Sequence, residues 1–144
     1  MLYTKLKTDL VAAQKSGDVF VTSVLKLILS ELSYAQVDYK QGELPDDMVE
    51  KVLFKEAKKR KDSIAIYEKI SNKERVEAEK AELVVIESYL PKQMSSGDIE
   101  VEIDKIAKET GLASGRLVGA VMGKLKGKAD SSVVLEIVSR KYSN

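Results

Sequence analysis

Prolines at only two of 144 positions, Pro45 and Pro91, leave long stretches of this chain free to run as helix. The second of them, in Glu87–Met94 (ESYLPKQM), divides two unlike halves. Before it, apolar residues recur at helical spacing for most of roughly 90 residues, broken near Gly42. After it comes a shorter stretch rich in glycine and lysine. The continuous apolar runs sit inside helical frames, so no strand is expected. The expected class is all-α: an N-terminal domain resembling a four-helix bundle, residues 1–91, and a small C-terminal three-helix domain, residues 92–144.

Leu2, Leu6 and Leu10, with Val11 and Ala13, predict a first helix ending at Gly17, after which Asp18 can cap the second. The second is the most apolar. Val21, Val24, Leu25, Ile28, Leu32, Ala35 and Tyr39 form one stripe, widened by Phe20, Leu27 and Tyr34. A face this wide predicts contact with more than one neighbour. Pro45 suits the first position of a third helix, whose positive end Asp46, Asp47 and Glu50 favour. Its seam runs Val49, Leu53, Ala57, Arg60, Ile64, Tyr67, with Arg60 the charged intruder. A fourth helix starts at Ser71 or Asn72 and presents Val76, Leu83, Ile86 and Leu90. Short connections imply antiparallel neighbours. Past Pro91, Ser95 or Ser96 caps a fifth helix ending at Gly111. A sixth runs from about Ser114 to Leu125, and Asp130 caps the last. Whether Lys92 and Gln93 make the joint rigid or hinged stays open.

No histidine and no cysteine occur, which removes Ser/His and Cys/His catalysis, the usual zinc sites and disulfides. No glycine-rich loop follows a strand, so neither a dinucleotide nor a P-loop signature is present. Carboxylates such as Glu74, Glu77 and Glu79 read as solvated helix faces. No catalytic residue, metal ligand or cofactor site is expected. The N-terminus lacks a signal-peptide core, and no apolar run approaches the ~20 residues of a membrane span. The expectation is a cytoplasmic protein without a membrane partner.

Charge is uneven. From Lys105 to Asn144 eight basic residues face Glu109, Asp130 and Glu136, so this tail carries +5 and the rest of the chain −4. The tail reads either as a solvated basic face or as a surface for a polyanion or acidic partner. Glycines recur every four residues at 111, 115, 119, 123 and 127. Gly111 and Gly127 suit helix ends, and Gly115 sits near a helix start. Gly119 and Gly123 each cost about 1 kcal/mol against alanine inside a helix. They leave a groove flanked by Arg116, Lys124 and Lys126, which fits either tight packing on a neighbouring helix or close approach of an RNA backbone with the lysines on phosphates. A second basic patch, Lys55, Lys59 and Arg60, lies in KEAKKRKDS. There an intrahelical Glu56–Arg60 pair or a snorkelling Arg60 competes with a ligand or RNA contact.

Two stretches carry a family resemblance. KEAKKRKDSIAIYEK followed by AEKAELVVIESYLPKQMS resembles the central part of the small bacterial YqeY proteins. GRLVGAVMGKLKGKADSSVVLEIV resembles their C-terminal motif, which is shared with the tail of the B subunit of the tRNA-dependent amidotransferase. In that enzyme the tail binds tRNA and performs no chemistry, and the kinase-like and amidase parts have no counterpart here. By that resemblance Gly119, Gly123, Lys124, Lys126, Gly127, Lys128 and Asp130 would lie at or under a tRNA-facing surface, Asp130 also having its local role as a cap, and Arg116, flanking the glycine groove, joins them as a candidate tRNA-binding residue. The resemblance implies a non-catalytic tRNA-binding or amidotransferase-accessory protein. The alternative is a helical module that recruits another protein through the N-terminal domain and has no nucleic-acid role.

Overall fold

A computed structural model describes residues 1–143, all of whose regular structure is helical: α1 (Leu2–Ser16), α2 (Val19–Asp38), α3 (Asp46–Lys69), α4 (Lys73–Glu87), α5 (Ser96–Thr110), α6 (Ser114–Lys124) and α7 (Ser131–Lys141). The chain divides into two compact units, Met1–Leu90 and Pro91–Asn144, each with its own hydrophobic core.

The helix starts follow from capping chemistry. Asp18, Asn72, Ser95 and Asp130 each accept a backbone N–H from the first turn of α2, α4, α5 and α7, satisfying donors that a helix N-terminus otherwise leaves open. Pro45 sits one position earlier than its sequence suggested, as the residue that precedes α3 rather than its first residue. Its carbonyl accepts from Met48 and Val49 at 3.1 Å.

In the first unit α1 pairs with α2 and α3 with α4, and α2 also touches both later helices. Leu6, Leu25, Ile28, Leu32, Val49, Leu53 and Ile86 are fully buried there. Leu44 joins them from the α2–α3 loop, a core residue that helical periodicity did not mark. The Gln36 side chain holds this loop, donating to the carbonyls of Tyr39 (3.2 Å) and Gly42 (2.8 Å) and accepting from the Leu44 N–H (3.1 Å). Tyr89, just past α4, donates its hydroxyl to Asp9 Oδ2 at 2.7 Å and so ties the end of the unit back to α1.

As its wide apolar face predicted, α2 packs against more than one neighbour: α1, α3 and α4. The flank is corrected: Phe20, Leu27 and Tyr34 are 42%, 45% and 71% exposed, because the packed stripe runs through Val24, Leu25, Ile28 and Leu32 to one side of them. At 20 residues, α2 is also long and apolar enough to cross a membrane by length and composition, where the run lengths suggested none was. Its Val24, Leu25, Ile28 and Leu32 instead form the centre of the first core.

In the second unit α5, α6 and α7 all pack on one another around Ile99, Ile103, Leu117, Val121, Val134 and Ile137. Ser114, at a left-handed φ of 51° rare for a residue with a side chain, donates its N–H to the Tyr142 carbonyl at 2.9 Å, joining the start of α6 to the end of α7.

Candidate functional site

Apolar residues 117 and 121 bury one stripe of α6, and this turns residues 115, 116, 119 and 123 to the opposite, solvent-facing side. A Cβ placed on Gly115, Gly119 or Gly123 would meet nothing within 4 Å. Packing against a neighbouring helix therefore does not explain Gly119 and Gly123. They form bare backbone open to solvent, a choice that costs helix stability with no return inside the unit. Arg116 flanks this strip, and a shallow cavity of about 630 Å³, lined by Gly111 to Arg116, opens at the N-terminal end of the helix.

The α6–α7 loop carries the next cations. Lys126 and Lys128 are exposed, and Gly127 between them takes φ +78°, the left-handed region where a side chain would be strained. Among the described residues Arg116, Lys126 and Lys128 make no ion pair. Lys124 differs: it lies 3.8 Å from Glu102 of α5. Asp130 caps α7, its Oδ1 accepting from the Ser132 N–H at 2.8 Å and hydroxyl at 2.6 Å.

Two other basic residues of the tail are consumed within the unit. Arg140 meets Glu100 at 3.0 Å and Glu136 at 3.2 Å, and Lys141 meets Asp104 at 2.8 Å. The hydrogen bond from Arg140 lowers the Glu100 carboxyl, and that from Lys141 lowers Asp104, which also accepts the Tyr142 hydroxyl at 2.5 Å. Tyr142, the one aromatic side chain of the tail, is thus held against α5. Counting from Pro91, nine basic residues stand against seven acidic ones, a net charge of +2, so the basic character of the unit is a matter of where charges lie rather than how many there are.

The second basic patch is built differently. Arg60 is almost buried between α3 and α4, with Nη1 on Glu56 Oε2 at 3.0 Å and Nε on Glu82 Oε2 at 2.9 Å. Glu79 Oε2, 3.7 Å from Arg60 Nε, is buried without a hydrogen bond. Lys59 adds a contact to Glu56 at 3.1 Å. Arg60 is thus an inter-helix tie, and of the three residues in the patch only Lys55 is exposed with no ion pair among the described residues. The intrahelical partner was legible from the i, i+4 spacing. The α4 partners were not, because no local pattern says which face of α4 meets α3.

Sequence reasoning also missed a contact between the two motif stretches. Gln93 Nε2 donates to the Gly127 carbonyl at 2.8 Å, and the Met94 N–H donates to the Lys128 carbonyl at 2.8 Å. YLPKQ and KGKAD, 34 positions apart at these bonds, are one structural feature. Among the described residues no group of three or more acidic side chains is arranged to hold a metal ion.

The family model described as Yqey-like protein matches residues 3–142 of the chain. The chain belongs to this family. No curated protein matches it.

Proposed function

We propose that the protein is a non-catalytic tRNA-binding protein that docks the tRNA backbone on its second unit. The observation that carries this reading is the exposed glycine strip of α6 with unpaired Arg116, Lys126 and Lys128 beside it. Bare backbone permits close approach of a sugar–phosphate chain, and unpaired cations release counterions when they meet phosphates. The resemblance of the tail to the amidotransferase B subunit names tRNA as the polyanion and favours an accessory role beside separate catalytic subunits. Readout of single-stranded bases by stacking is not favoured, because Tyr142 is already bonded to Asp104. Shape and phosphate contacts of a folded RNA remain.

Titration of bulk tRNA across salt concentrations tests this reading. Binding should weaken steeply with salt, and reversing Arg116, Lys126 and Lys128 to glutamate should flatten the slope by about 1 for each phosphate contact removed. Equal, weak binding by both proteins would refute it.

A second reading has its own observation. Phe20, Leu27 and Tyr34 recur every seven residues along the exposed face of α2, an apolar seam bordered by the exposed carboxylates Glu31 and Asp38 and suited to a partner's helix that brings basic flanks. Recovery of the same protein in pull-downs with and without RNase, lost in Leu27→Glu, would favour that reading over tRNA docking.

A further inference from the structure

The segment entering the second unit is pinned to the loop that bears two of the unpaired lysines. Gln93 donates through one side-chain nitrogen to the carbonyls of Gly127 (2.8 Å) and Pro91 (3.2 Å), while the next residue donates its backbone N–H to the carbonyl of Lys128. Consecutive residues of one segment thus hold consecutive carbonyls of the other, Gln93 through its side chain and Met94 through its backbone, so the chain at Met94 lies directly against the loop at Lys128. The loop is further closed by the N–H groups of Lys128 and Ala129 on the Leu125 carbonyl at 2.9 and 3.2 Å. Hydrogen-bonded segments lie about 5 Å apart and consecutive residues advance at most 3.8 Å. The backbones at Lys92 and at Lys126 therefore each fall within about 12 Å of that at Lys128, on the order of a Debye length at physiological salt. Lys92 is exposed and, like the other two, makes no ion pair among the described residues.

We infer that Lys92 is a third phosphate-contacting lysine, completing a ridge with Lys126 and Lys128, and that Gln93 is the positioning residue that brings it there. The inference rests on the tRNA-docking reading and extends it beyond the tail motif. Three like charges this close repel one another. The pinning holds them together before a polyanion arrives, so their ordering is not charged against binding. Glutamine suits the task because its amide donates twice and carries no charge.

Two measurements on the full chain test it. The first is amide hydrogen exchange without RNA. Gln93→Met keeps length and neutrality but has no donor, so the amides of Met94, Lys128 and Ala129 should exchange faster than in the parent protein, and unchanged exchange would overturn the positioning role. The second is tRNA titration across salt for the parent, Lys92→Gln, Gln93→Met and the double variant. Lys92→Gln should flatten the salt slope by about 1, as expected for one lost phosphate contact. In the Gln93→Met background the same replacement should cost less, since the lysine is no longer held in place. A parent that binds with an unchanged slope in Lys92→Gln, or fully additive losses in the double variant, would overturn the inference while leaving tRNA docking intact. A parent that does not bind tRNA would sink both, and the exchange result would still say whether Gln93 pins the loop.

Discussion

Two basic stretches of this chain look alike in sequence and have opposite fates. In the first unit the run from Lys55 to Lys61 is largely answered by carboxylates: Arg60 by Glu56 and Glu82, Lys59 by Glu56, Lys58 by Asp62 at 3.1 Å and Lys61 by Glu87 at 3.9 Å. In the second unit Arg116, Lys126 and Lys128 face solvent with no such partner among the described residues. Local charge density is therefore a poor guide to a binding surface. What matters is whether the fold has already supplied the counter-charge.

The sharpest way to break the contrast is Arg60→Ala. Removing the central member of a nearly buried network leaves Glu56, 3% exposed, with only the half-exposed Lys59 for a cation, and takes from Glu82 its partner on α3. We expect a loss of about 3–5 kcal/mol in denaturant unfolding of the first unit, and Arg60→Met should cost less because its side chain keeps the packing between α3 and α4 that alanine gives up. If Arg60→Ala is as stable as the parent, Arg60 is not the tie between α3 and α4. The reciprocal experiment reverses Arg116, Lys126 and Lys128: tRNA affinity should fall at low salt while the unfolding midpoint holds, since these side chains support nothing in the fold.

The glycines sharpen the comparison further. Gly119→Ala and Gly123→Ala meet open space, so each should stabilise the second unit by up to about 1 kcal/mol. The same substitutions should weaken tRNA binding, because a methyl group keeps the backbone of the partner away. Greater stability with unchanged binding would reassign the strip as an unused surface.

The smallest effect is on pH. Asp9, Glu100 and Asp104 are held below the ordinary carboxylate range, Asp9 chiefly by hydrogen bonds from Lys5 and Tyr89 and the other two by Arg140 and Lys141. A carboxyl lowered in the folded state stabilises the fold above its unfolded value of about 4, and that contribution is lost as pH falls through the folded value. Both units should therefore lose stability progressively below about pH 4, the second through the α5–α7 contacts. Lys141→Gln should reduce the acid sensitivity of the second unit in melts followed by circular dichroism. All of these groups are largely solvated, so the drop is modest beside that of Arg60→Ala.

Much of the fold was written locally. Capping residues Asp18, Asn72 and Asp130, the glycines at 17 and 111, and apolar stripes such as Val24, Ile28 and Leu32 mark helix ends and buried faces through interactions within a turn or two. The sequence by itself therefore determined an all-helical chain interrupted around Pro91. Only the tertiary structure decided what each surface is for. It left the Phe20–Leu27–Tyr34 flank uncovered, buried Arg60 against carboxylates on another helix, exposed Gly119 and Gly123, and laid Gln93 on Gly127. Each of these depends on which face of one element meets another across tens of residues. Helical periodicity reports that a face is apolar or charged, and it carries no information about the distant residue that will cover it or leave it bare.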